Sequence, residues 1–222
     1  MNIIIADSKG WFKIKPSLSK KLNIKIIKDN SELSKNTLKK FNPSYLFFVH
    51  WHWIVPARIY EKYSCIVFHT APLPYGRGGS PIQNLILNGF KHSPVCAIKM
   101  VKDLDAGPIY TKMKISLEGS LDQILSRINS AINKLIVKII NNNLIPKEQK
   151  GKVHVFKRLT LRDNKIQSEL TLEQIFDKIR MLDHFSYPDA YIKHGNLILN
   201  FSKAKLSKTK LSVMCTIKKD YN

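Results

Sequence analysis

Apolar runs of four to six residues alternate with longer stretches of helical period along the first two thirds of the chain. Asn2–Ala6 and Asn23–Ile27 read as strands, the first apolar enough to be buried. Ser34–Phe41 reads as a short helix. Tyr45–Trp53 is aromatic and β-branched and is predicted as a central strand that Pro56 closes. Ala57–Tyr63 is a second short helix and Cys65–His69 a further strand. Two prolines and three glycines make Thr70–Gly79 a loop. Ser80 then caps a helix with Pro81 at its first position, and Gly89 ends it. Pro94–Val101 and Pro108–Ile115 pair around the turn Lys102–Gly107.

The clearest helix is Ser120–Asn143. Ser120 and Gln123 form a capping box. Leu121, Ile124, Leu125, Ile128, Ile132, Leu135 and Ile139 share one face, and the run Asn141–Asn143 with Pro146 stops it. After Gly151 the pattern changes. His154–Leu159 is a strand candidate, and Thr171–Leu182 a helix capped by Thr171 with Gln174. Residues 190–217 break into short apolar runs that suggest a small β unit. The strand–helix alternation predicts an α/β fold: a Rossmann-like, mostly parallel sheet flanked by helices, with a small α+β C-terminal extension. The expected division is a catalytic domain at 1–150 and an extension at 151–222. No GxGxxG is present, so the dinucleotide fingerprint is absent.

Composition sets the class. At 222 residues, 44% hydrophobic and 24% charged, the chain can bury a core. Its net charge of +21 raises nucleic acid as a partner. That charge is spread, at about +8, +5 and +8 over 1–63, 64–140 and 141–222, with no dense basic tail. Lys outnumbers Arg 31 to 6, whereas phosphate recognition favours Arg. The expectation is a solvated lysine surface, with nucleic acid disfavoured though kept open by the net charge. Cys65, Cys96 and Cys215 have no metal-ligand spacing, so no metal is expected and a reduced, cytoplasmic protein is. The apolar start is too short for a signal peptide, and no stretch spans a membrane.

The chemistry-bearing stretch is CIVFHTAPLPYGRGGSPIQNLILNG, Cys65–Gly89, followed by KMVKDLDAGPIY, Lys99–Tyr110. His69 falls at the C-terminal end of a strand, where open α/β sheets place ligands. The glycines around Arg77 allow close approach of backbone to a ligand, and Arg77 adds charge. Asp105 lies in a turn, and a His and an Asp on separate loops can form an acid–base pair in which the Asp orients the imidazole. Each of these residues also has an ordinary structural role, and spacing alone does not choose.

The combination resembles the formyltransferase superfamily, which includes methionyl-tRNA, glycinamide ribonucleotide and sugar N-formyltransferases. The residues that carry it are His69, Leu73-Pro74-Tyr75-Gly76-Arg77-Gly78, Pro81-Ile82-Gln83 and Leu104-Asp105-Ala106-Gly107-Pro108. It is good over residues 45–140 and looser over Phe156–Phe201. The resemblance implies His69 and Asp105 as the catalytic pair and N10-formyltetrahydrofolate as formyl donor. It also implies a pterin lying against backbone at Trp53, Ile54 and Val55 and at Val101, Lys102 and Asp103, with Arg77 and Gly78 at the entrance. The family's catalytic Asn, two residues before the His, is here Val67. Losing one oxyanion donor costs a few kcal/mol at comparable sites. His50 and His52 would share a strand face by alternation, and His52 is the candidate replacement donor.

The expected acceptor is the amine of a nucleotide-linked amino sugar in surface glycan synthesis, since the chain is shorter than expected for a methionyl-tRNA formyltransferase. The alternatives are methionyl-tRNA or another amine, and a non-catalytic folate or sugar-nucleotide binding relative. The oligomeric state is left open, a homodimer among the options.

Overall fold

The computed structural model describes residues 1–220. They fall into two compact units, each made of three chain segments. The first comprises Met1–Arg77, Pro94–Ile115 and Arg127–His154. The second comprises Gly78–Ser93, Ser116–Ser126 and the chain from Val155 onward.

The first unit is built on a sheet of six strands: β1 (Asn2–Ala6), β2 (Asn23–Ile27), β3 (Tyr45–Phe48), β4 (Cys65–His69), β6 (His92–Lys99) and β7 (Ile109–Ser116), a fifth strand, β5 (Tyr75–Gly78), lying outside it. Their order is β2-β1-β3-β4-β6-β7. The β2, β1, β3 and β4 pairs are parallel, and β6 runs antiparallel to β4. The continuous apolar run of β1 follows from this order. Flanked on both edges and covered on both faces, Ile3, Ile4, Ile5 and Ala6 are fully buried. Phe47 and Phe48 of β3 are fully buried too. The expected mainly parallel, Rossmann-like sheet is therefore the observed one.

Helices are set by the expected local signals. Ser34 Oγ accepts from the Thr37 amide to cap α2 (Lys35–Phe41), following the single turn α1 (Pro16–Ser19). Ser120 and Gln123 exchange hydrogen bonds at the start of α5 (Leu121–Asn142), as the capping box requires. Its predicted stripe is buried at Leu121, Ile124, Ile128, Ile132, Leu135 and Ile139.

Three expectations are corrected. The strand expected over Tyr45–Trp53 ends at Phe48, because His50 takes a left-handed φ of 49° that turns the chain out of the sheet. The helix expected over Ala57–Tyr63 is one turn, α3 (Ala57–Tyr60). Ser80 does not cap α4 (Pro81–Leu87). Its φ of 48° is left-handed, and its Oγ accepts instead from the Leu159 amide at 3.1 Å.

In the second unit, α6 (Leu172–Arg180) carries the predicted Thr171–Gln174 capping box. Residues 190–217 contain the predicted β unit, an antiparallel sheet of β9 (Ala190–His194), β10 (Leu197–Leu206) and β11 (Leu211–Lys219), preceded by the short strand β8 (His154–Phe156). Buried Arg180 donates to the Leu117 and Gly119 carbonyls at 2.8 and 2.9 Å. Among the described residues no helix is long and apolar enough to cross a membrane.

Candidate functional site

The first unit brings His69 and Asp105 together. His69 ends β4, where the apolar run stops and the chain enters the Pro- and Gly-rich loop. Its Nδ1 lies 3.3 Å from Asp105 Oδ2, and both side chains are under a tenth exposed. Its other nitrogen, Nε2, lies 2.7 Å from the Gly76 carbonyl oxygen. Both ring nitrogens therefore face acceptors, and Nε2 donates to that carbonyl when it carries the proton. Low exposure strengthens these contacts, because water competes less for them.

Asp105 is held by an unusual backbone. Its φ is 51°, a region that Asp tolerates better than most residues. Gly107 follows, and a Cβ there would fall 1.7 Å from the Lys99 carbonyl oxygen, so only glycine lets the turn close against β6.

Arg77 proves to be tied down. Its Nε and Nη2 donate to Gln149 Oε1 at 3.1 and 2.9 Å. Gln149 Nε2 donates in turn to the carbonyls of Asp105 and Gly107, at 2.8 and 2.9 Å. Gln149 was missed in the sequence. It lies in an irregular stretch among polar residues, with no periodicity or motif to mark it.

The remaining predicted residues divide. Val55 is a core residue, so only its backbone can meet a ligand, whereas the Ile54 side chain is 91% exposed. Trp53 is half-buried and packs on His52 with ring centroids 3.8 Å apart. Val101 is half-buried, and Lys102 and Asp103 are exposed. Among the described residues, neither Trp53–Val55 nor Val101–Leu104 donates a backbone–backbone hydrogen bond. Two runs of backbone are thus free to read the polar edge of a planar heterocycle, which fits a pterin. Trp51 and Met100, which precede the two runs, pack against one hydrophobic cluster.

Gly78 lies in the second unit, where a Cβ on it would lie 2.6 Å from the Phe156 carbonyl oxygen. Close packing of backbone on backbone therefore already requires glycine there.

His52 is not brought into the pair. Since the strand stops at Phe48, His50 and His52 do not share a strand face. His52 is exposed, and its Nδ1 lies 2.7 Å from Ser8 Oγ. That hydroxyl has one proton and already donates to the His50 carbonyl at 2.8 Å. It therefore accepts from His52, placing the ring proton on Nδ1. Val67 packs between two apolar clusters and offers no donor.

The thiols are silent. Burial pushes Cys65 up to about 12 and Cys96 up to about 11, so neither is a thiolate nucleophile near neutral pH. Among the described residues no His, Cys, Asp and Glu group could hold a metal.

Known proteins with a similar sequence or fold point one way. A family model for the C-terminal domain of methionyl-tRNA formyltransferase matches residues 161–218. The methionyl-tRNA formyltransferase of Rickettsia massiliae is 30% identical over 197 residues, which cover 81% of this chain and 65% of that protein. The chain thus spans somewhat less than two thirds of this relative's length. A solved methionyl-tRNA formyltransferase from Clostridium thermocellum is 39% identical with a TM-score of 0.93, and the match covers 99% of both chains. A sugar N-formyltransferase from a Shewanella species superposes with a TM-score of 0.68 at 17% identity, over 94% of this chain and 99% of that one. That likeness is one of fold alone. The expected amino-sugar acceptor is overturned by these matches. The length argument behind it fails, since a methionyl-tRNA formyltransferase structure is matched from end to end.

Proposed function

This chain belongs to the methionyl-tRNA formyltransferase family, and we propose that it moves a formyl group from N10-formyltetrahydrofolate to the α-amine of methionine carried on tRNA. The observation that carries the reading is the buried His69–Asp105 pair at a strand's C-terminal end. The donor supplies a formyl carbon bonded to a nitrogen that can leave. Attack by an amine builds charge on the formyl oxygen, and preorganised donors lower that barrier most. His69 is the ring able to hold or give a proton there, and Asp105 keeps it oriented. The open backbone of Trp53–Val55 and Val101–Asp103 receives the donor's ring system, with Arg77 contributing charge. Residues 1–150 carry the chemistry, and 151–222 serve the acceptor. Exposed Lys203, Lys205, Lys208, Lys210, Lys218 and Lys219 on and beside the C-terminal sheet suit a phosphodiester backbone. The enzyme works in the cytoplasm.

The test is formylation of methionyl-tRNA by the purified chain with the formyl donor, read as N-formylmethionine by mass after hydrolysis of the ester. Product with the wild type and none with His69→Asn is the expected result. A folded wild type that binds the donor yet forms no N-formylmethionine would overturn the assignment.

A further inference from the structure

We propose that Gln149 is a positioning residue that sets both contacts of the His69 ring; the inference rests on the reading of His69 and Asp105 given above. A glutamine amide has two N–H donors and one oxygen able to accept twice. At Gln149 all four capacities are used: the donors on the Asp105 and Gly107 carbonyls, and the oxygen on Nε and Nη2 of Arg77. The amide cannot be flipped, because its oxygen would then face two carbonyls and its nitrogen the Arg77 donors.

The two segments it joins are the ones that touch the imidazole. Asp105 meets Nδ1, and Gly76, the neighbour of Arg77, meets Nε2. One amide therefore fixes the spacing between the carboxylate on one side of the ring and the carbonyl on the other. Gln149 is itself anchored, since Lys147 exchanges backbone hydrogen bonds with Ile109 at 2.7 and 2.9 Å, at the foot of the Asp105 turn. The Asp105 turn needs such a clamp. Its φ of 51° is a conformation that L-residues hold only when their surroundings impose it.

Three variants separate positioning from general stability. Gln149→Leu removes all four hydrogen bonds at similar size. Gln149→Glu keeps an acceptor for Arg77 but turns an oxygen toward the two carbonyls, so it isolates the Asp105 side. The third is Gln149→Glu placed on Asp105→Asn. Each single change should lower kcat on the order of 10- to 100-fold, the scale of a small misplacement of a catalytic group. In Gln149→Glu, which keeps the acceptor for Arg77, KM for the donor should move less than about 3-fold. On Asp105→Asn the added loss from Gln149→Glu should be under about 3-fold, because that change disturbs only the Asp105 side. Should Gln149→Leu not fold, Gln149→Glu carries the kinetic test. Unchanged kcat, or a loss that multiplies in full onto Asp105→Asn, overturns the proposal.

A second readout needs no turnover: the imidazole ¹⁵N signals of His69, assigned by their loss in His69→Asn. They should move in Gln149→Glu in the same sense as in Asp105→Asn. If the wild type forms no product, the proposed function falls while a moved His69 signal still upholds the positioning role. An unmoved signal overturns that role regardless of activity.

Discussion

Two histidine–aspartate pairs in this molecule use the same chemistry to different ends. His69 and Asp105, in the first unit, are 3.3 Å apart with side chains 8% and 9% exposed. His184 and Asp122, in the second, are 3.7 Å apart, and although the imidazole is equally buried the carboxylate is 75% exposed. Solvent screens the second pair, and such exposed contacts contribute little. Each ring has a second contact, the Gly76 carbonyl for His69 and the Ser186 amide for His184, so the pairs differ on the aspartate side, where Gln149 holds the Asp105 main chain. What separates the two pairs is the burial of the carboxylate and the anchoring of the turn that carries it, not the residue types.

The largest expected difference follows from making one substitution at both places. Asp105→Asn should lower turnover about 100-fold or more, the scale for losing preorganised electrostatic support. Asp122→Asn should leave both turnover and melting temperature within error. Steady-state kinetics beside thermal melts decide it. Equal effects at the two sites would erase the comparison.

His52 sharpens the comparison from a different side. It has an imidazole near an aromatic cluster but is exposed and engaged by Ser8 and Trp53. His52→Ala should change kcat less than about 3-fold and cost about 1 kcal/mol, the scale of one hydrogen bond with an aromatic contact. A loss of turnover near that of His69→Asn would restore His52 as the donor that Val67 cannot be.

These residues also show how far the sequence could be read. The motifs Leu73–Gly78 and Leu104–Pro108 singled out His69 and Asp105, and the fold brings those two side chains within 3.3 Å. The strand, helix and capping patterns of β1, α5 and α6 were legible because each is set by residues close in sequence. The end of β3 was not. His50 leaves the sheet through a single left-handed residue, which apolar periodicity does not register. Gln149 was invisible for another reason. Its four bonds go to residues 42 to 72 positions away, and only the folded chain brings them together. The packing of Gly78 on Phe156 was not legible either, since sequence does not tell which distant backbone a glycine lets approach.

The smallest expected effect concerns His50, a third histidine near a carboxylate. Burial lowers its pKa, and the opposing pull of the Asp7 carboxylate is the weaker influence. Asp7 is already occupied: it accepts from the amides of Lys9, Gly10 and Phe12. Its charge serves the loop after β1 more than the ring. His50 also packs against Trp11, 5.3 Å between centroids, and that indole carries no titrating charge. The sign follows from linkage. With the folded pKa below the unfolded value near 6.5, the unfolded chain binds the proton more readily. The stability associated with neutral His50 is therefore complete above about pH 6.5 and is lost as the pH falls through the lower folded value. Chemical unfolding between pH 7.5 and 5 should show stability falling with acid, and His50→Phe should flatten that slope by the share of one proton. A slope unchanged in His50→Phe would mean that the ring is solvated well enough to titrate as in the unfolded chain, and that burial without a fixed partner leaves this histidine ordinary.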